Sequence, residues 1–234
     1  MHVGSERKVL KMLKSRITEI FSSIQGEGIY VGEEHLFIRF HGCNLSCGFC
    51  DEREKDDFLE YTAWDVFERV IKEGKNTVSL TGGEPLLQVD FLEELLPLLK
   101  NKDFRTYLET NGILKDNLIK VLDYIDIIAM DIKLPTSTGE KELWDEHKEF
   151  LKVANKKEVF IKAVLTENTL MSDVDRAIRL VREVDKKIPF IIQPVSYNGS
   201  MVRIDSMKVF FDRAKRDLDI VRIVPQIHKL LGVR

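Results

Sequence analysis

The chain has 234 residues, 44% of them hydrophobic, with 36 basic and 39 acidic side chains and a net charge of −3, which suits one soluble domain with a single sizeable core. Both signs of charge are interspersed, so no basic face offers itself to nucleic acid, and the longest apolar runs, Ile125 to Met130 and Ile188 to Ile192, fall far short of the ~18–20 residues that cross a bilayer. Met1 to Arg16 has no signal-peptide core, and the only three cysteines share one short window, which points to a cytoplasmic protein with reduced thiols.

In chain order, β-rich runs predict strands near Ile17 to Phe21, Leu36 to His41, Thr77 to Leu80, Arg105 to Glu109, Ile125 to Ala129, Val159 to Val164, Phe190 to Gln193 and Ile220 to Val224. Amphipathic helices fit between them. The clearest are Thr62 to Glu73, with Trp64, Phe67, Val70 and Ile71 on one face, and Val174 to Val184, with Ala177, Ile178, Leu180 and Val181. Thr62 is a natural N-cap, with Asp65 in the first turn. Phe21, Phe37, Phe40 and Phe190 read as core residues. The alternation predicts an α/β fold: one domain, a partial (β/α) barrel with a mostly parallel sheet. Residues 1–16 form an N-terminal extension and residues 17–234 the core domain.

In such folds the ligand site lies at the carboxyl ends of the strands, and the distinctive segments fall there. His41-Gly42-Cys43 follows one strand and Thr81-Gly82-Gly83-Glu84-Pro85 the next. Beyond three later strands lie Glu109-Thr110-Asn111-Gly112, Asp131-Ile132-Lys133 and Gln193-Pro194. Cys43, Cys47 and Cys50 put three thiolates on one tight loop, suited to an iron–sulfur cluster that leaves one iron without a protein ligand. A zinc site with His41 or Asp51 as fourth ligand also fits the spacing. Gly82 and Gly83 would let the backbone approach a ligand.

The cysteine spacing, with Phe49 before the last cysteine, resembles the signature of the radical S-adenosylmethionine superfamily. The resemblance implies a four-iron four-sulfur cluster on Cys43, Cys47 and Cys50, whose open iron chelates S-adenosylmethionine and cleaves it to an adenosyl radical. Thr81 to Pro85 resembles the superfamily's glycine-rich segment. Phe49, Gly83, Glu84, Asp131, Lys133 and Gln193 are the implied cofactor contacts. Asp131 and Lys133 read equally well as a solvated ion pair.

Ile24-Gln25-Gly26-Glu27-Gly28, Arg39, Thr81, Glu109 to Gly112 and Pro225-Gln226-Ile227-His228 resemble the 7-carboxy-7-deazaguanine synthase family over nearly the whole chain. That family binds 6-carboxy-5,6,7,8-tetrahydropterin, and the implied substrate contacts are Ile24, Gln25, Gly26, Glu27, Arg39, Thr81 and His228. Gln and Glu suit the amide and guanidine-like edge of a pterin, and Arg39 suits its carboxylate. Residues 25–28 also read as a simple turn, and His228 as a surface histidine. The family places Ser or Thr after Cys-Asp to bind magnesium, whereas here Cys50-Asp51 is followed by Glu52, which could itself bind Mg2+. The resemblance further implies an electron donor such as flavodoxin or ferredoxin, a homodimer, and a product feeding queuosine or archaeosine. Competing assignments are a glycyl-radical-enzyme activase and a non-catalytic metal-binding module.

Overall fold

All eight anticipated strands form. The computed structural model describes residues 13–52, 57–197 and 200–233. The chain begins with β1 (Lys14–Ile24), β2 (Glu34–Phe40), β3 (Leu59–Thr62), α1 (Ala63–Glu73) and β4 (Thr77–Gly82). It continues through α2 (Val89–Lys100), β5 (Arg105–Thr110), α3 (Lys115–Val121), β6 (Ile127–Asp131), α4 (Pro135–Thr138) and α5 (Trp144–Ala154). Then follow β7 (Glu158–Leu165), α6 (Met171–Asp185), β8 (Phe190–Pro194), the two-stranded ribbon β9 (Ser196–Tyr197) and β10 (Ser200–Met201), α7 (Met207–Lys215), β11 (Val221–Ile223) and α8 (Ile227–Leu231). Residues 1–12 of the expected extension lie outside the described residues, and its boundary at residue 17 falls inside β1.

The main sheet runs β11-β8-β7-β6-β5-β4-β2-β1-β3 and stays open. From β2 to β11 every pairing is parallel, but β1 runs antiparallel to β2 and β3. The reason is local. Only residues 25–33 separate β1 from β2, and Gln25 N donates to Glu33 O at 2.7 Å while Gly32 N donates to Gln25 O at 2.8 Å, closing a hairpin where a parallel return would need a crossover of a dozen residues or more. The edge strand β3 was not anticipated: it is four residues long, follows a charged segment, and buries only Thr62.

Helices cover the outer face of the sheet and bury the main core against it. In α1, Thr62 Oγ1 accepts from Asp65 N at 3.2 Å and Asp65 Oδ2 accepts from Thr62 N at 2.9 Å, a reciprocal capping box. Its buried face is Ala63, Val66, Phe67 and Val70; Trp64 and Ile71, expected on that face, are exposed. A small apolar cluster, Tyr107, Ile127, Ala129, Phe160 and Ile191, floors the inner face. Because side chains alternate along a strand, the inner-facing residue two positions further on is Glu109, Asp131, Lys162 or Gln193. The inner face thus passes from apolar floor to polar rim within one step.

Candidate active site

The polar rim borders a cavity of about 700 Å³. Every residue anticipated at the site lines it except Glu84. A β-bulge in β1 lets both Thr18 and Glu19 contribute to its wall. Phe21 and Phe37, expected in the core, also form wall: their rings stack at 5.2 Å. Phe40 and Phe190 are fully buried, as expected.

The cysteine loop lies beside the Gly82-Gly83 turn. Gly83 N donates to Phe40 O at 2.9 Å and Glu84 N to Gly42 O at 2.8 Å. A Cβ on Gly83 would meet Gly42 O at 1.9 Å, and one on Gly82, where φ is +115°, would meet Phe40 O at 2.4 Å. These glycines therefore serve backbone-to-backbone packing, beyond the ligand approach anticipated from sequence. Further along the loop, Gly48 N donates to Thr138 O at 2.8 Å, and Asn111 Nδ2 donates to Asn44 Oδ1 at 2.8 Å.

The three thiols fit the implied cluster in number and placement. Cys47 is buried while Cys43 and Cys50 are exposed, and burial raises the Cys43 and Cys47 thiols above the usual range. Among the described residues, no three His, Cys, Asp or Glu side chains converge closely enough for a single metal ion. A cluster needs no such convergence, because it spreads its thiolates over different irons. The two proposed fourth zinc ligands are engaged elsewhere: His41 packs on Phe58 with ring centroids 4.7 Å apart, and Asp51 Oδ2 accepts from Lys229 Nζ at 2.7 Å. Two buried acceptors on the cavity wall, Asn111 Oδ1 and Gln193 Oε1, have no partner within the protein. Such atoms suit the amino and hydroxyl groups of S-adenosylmethionine.

Glu84 departs from expectation. It is fully buried behind the wall, where its carboxylate accepts from Leu86 N (3.1 Å), Thr110 Oγ1 (3.0 Å) and Asn111 N (2.8 Å). It ties the loop after β4 to the end of β5. Burial pushes its carboxyl up to about 7 against the hydrogen bonds from Asn111, Leu86 and Thr110.

On the opposite side, residues 25–28 are both the β1–β2 turn and cavity wall. Gln25 Nε2 donates to Glu109 Oε1 at 3.0 Å, and Thr81 Oγ1 donates to Glu109 Oε2 at 2.6 Å. Glu27 ion-pairs with Lys162 and accepts from Gln226 Nε2 at 2.7 Å. Burial alone would raise its carboxyl, but the charge and hydrogen bond of Lys162 hold it well below the ordinary value. Lys162 also lies 3.4 Å from Asp131 Oδ1, and Lys133 Nζ donates to Asp131 Oδ2 at 2.9 Å. Asp131 and Lys133 therefore are an ion pair, as one reading of the sequence had it, but on the cavity wall. His228 packs on Gly26 while Ile227 N donates to Gly26 O at 2.9 Å. Burial lowers the imidazole's proton affinity despite the nearby Glu27 charge.

Arg39 is held by two carboxylates, with Nε 3.2 Å from Glu19 Oε2 and Nη1 3.0 Å from Glu52 Oε1. Its guanidinium lies 5.6 Å from the Phe21 ring centroid. Glu52, anticipated as a magnesium ligand, is thus an ion-pair partner of Arg39. Sequence reading assigned no role to Glu19 or Lys162. Glu109, Asn111 and Gln226 stand in the quoted motifs but were not singled out. The one signal for Lys162 is a lysine interrupting the apolar run of β7.

Residues 37–181 match the Radical SAM superfamily. Across 93% of its length the chain is 38% identical to the 7-carboxy-7-deazaguanine synthase of Geobacter sulfurreducens, of which it covers 97%. It is 32% identical to the enzyme of that name from Methanothermobacter thermautotrophicus, covering 95% of this chain and 99% of that one. The crystal structure of QueE from Escherichia coli shares the fold, with a TM-score of 0.66 at 22% identity over 92% of this chain and 95% of that one.

Proposed function

Because the chain belongs to the radical S-adenosylmethionine superfamily and, within it, to the 7-carboxy-7-deazaguanine synthases, we propose that its cavity converts 6-carboxy-5,6,7,8-tetrahydropterin to 7-carboxy-7-deazaguanine with loss of ammonia. One observation carries this reading: the Gln25 to Glu27 turn, Arg39, Thr81 and His228, drawn from distant parts of the chain, line the same cavity as the three cysteines.

When bound, a four-iron four-sulfur cluster on Cys43, Cys47 and Cys50 together with S-adenosylmethionine supplies the hydrogen-abstracting radical. The protein's task is to bind, orient and shield. Arg39 forks onto the substrate carboxylate, sharing its charge with Glu19 and Glu52. Gln25, fixed by Glu109, and Glu27, fixed by Lys162 and Gln226, face the amide and amino edge of the pterin. Phe49, Gly83, Lys133 and Gln193 border the S-adenosylmethionine side with Asp131. His228 closes the wall over Gly26.

Magnesium enters through the family resemblance, and the residues around Glu52 do not fit it. Its carboxylate is paired with Arg39, whose guanidinium 3.0 Å from Oε1 would repel a cation there. We further propose that residues 17–234 act as one catalytic domain, with a reductant such as flavodoxin or ferredoxin, as a homodimer in the cytoplasm. Among the described residues, no helix is long and apolar enough to cross a membrane.

The test is anaerobic incubation of the reduced holoenzyme with the carboxytetrahydropterin and S-adenosylmethionine, with product read by mass spectrometry. Formation of the deazapurine is the expected outcome. S-adenosylmethionine cleavage without that product would shift the reading to another radical reaction, such as activation of a glycyl-radical enzyme.

A further inference from the structure

Among the described residues, Lys162 is the one lysine or arginine that is buried, at 5% exposure. It stands in the middle of β7, where its inner-facing neighbour towards the floor is the buried ring of Phe160. A buried ammonium is costly unless it is paired. Lys162 has two partners from unconnected segments: Glu27, on the β1–β2 turn, and Asp131, its register partner on the adjacent strand β6. Asp131 Oδ1 has no hydrogen-bond partner and lies 3.4 Å from the Lys162 ammonium. The outer carboxylate oxygens are taken by Gln226 and Lys133. A continuous chain of Gln226, Glu27, Lys162, Asp131 and Lys133 thus crosses the cavity from its C-terminal wall towards the cysteine loop.

A lysine serving only the core would pair with a carboxylate on the scaffold. Lys162 also reaches the β1–β2 turn, which its own hairpin bonds and the Gln25–Glu109 and Gln226–Glu27 contacts hold from other sides, and both of its partners face the cavity. We infer that Lys162 is a positioning residue that, by bridging Glu27 and Asp131, holds the substrate-facing turn at a set distance from the S-adenosylmethionine side. The inference rests on the assignment of Glu27 to the pterin. Without the bridge Glu27 loses the ammonium it pairs with and Asp131 keeps only Lys133, the turn drifts, and hydrogen abstraction loses its alignment.

The experiment compares wild type, K162M, K162R, E27Q and the K162M/E27Q double variant as reconstituted holoenzymes. Three quantities are read: pterin affinity by calorimetry without reductant, pterin KM, and 5'-deoxyadenosine released per product formed. K162M should weaken pterin binding about thirtyfold and raise the 5'-deoxyadenosine ratio, K162R should recover most of both, and the double variant should be little worse than E27Q alone. A lowered melting temperature with unchanged affinity and ratio would reduce Lys162 to a structural role and overturn the bridge. Unchanged affinity in E27Q would overturn the assignment of Glu27 and the bridge with it, whereas weakened binding in E27Q beside wild-type K162M would overturn the bridge alone. K162Q, which keeps a polar head, carries the same comparison should K162M fail to fold.

Discussion

His228 lies so close to Gly26 that a Cβ at position 26 would meet its Nδ1 at 2.0 Å. The contact is one of four by which the C-terminal segment seals the site, with Gln226 on Glu27, Ile227 on Gly26 and Lys229 on Asp51.

Gly26→Ala should therefore displace His228 and loosen α8 while sparing the sheet. Limited proteolysis should cut sooner near the C-terminus, pterin KM should rise about tenfold or more, and the melting temperature should change little. His228→Ala in the same background should add nothing, because the side chain has already been expelled.

Replacing Cys43, Cys47 or Cys50 with Ala should abolish product formation and the cluster's visible absorbance but leave a folded protein. All three lie on a loop outside the main core, and the one buried thiol, Cys47, loses a single atom. Far-ultraviolet circular dichroism and iron content measured on each variant check the pair of outcomes.

Glu52→Thr should leave the magnesium dependence of turnover unchanged, since Glu52 is bound to Arg39. Its expected effect is on the pterin, because freeing one side of the guanidinium alters how Arg39 meets a carboxylate. Superimposable magnesium titrations of wild type and variant would support this, and a weaker apparent magnesium affinity in the variant would return Glu52 to the metal.

The buried Glu84 makes a pH prediction. Its carboxyl is raised from an ordinary 4.5 to about 7 in the folded protein, so the unfolded chain loses this proton at lower pH than the native one. The stability it contributes is full below about 4.5 and is lost as pH rises through about 7, a difference on the order of 3 kcal/mol. Glu84→Gln should flatten that part of the stability–pH profile, read by denaturant midpoints between pH 4 and 8.

Much of this was legible in the sequence because short, near-continuous apolar runs rich in β-branched and aromatic residues, such as Leu36 to His41 or Val159 to Val164, read as buried parallel strands. The motifs, in turn, follow strand ends, where this architecture puts its ligands. What stayed hidden depends on contacts across the fold. Glu84 and Gly83 stand in one motif, yet only the fold separates a carboxylate sealed behind the wall from a backbone pressed on Gly42. Trp64 and Ile71 have helical spacing, but their face meets solvent because the sheet lies against Val66 and Val70. Phe21 and Phe37 read as core because a strand shows two faces without saying which one borders a cavity. Lys162 was passed over because its partners come from elsewhere in the chain.

The bond between Glu27 and Gln226 joins residues 199 positions apart, which gives the site an order of assembly. During synthesis the turn, the cysteine loop and most of the sheet emerge long before the segment that seals them. The wall on that side therefore exists only once both distant segments are in place.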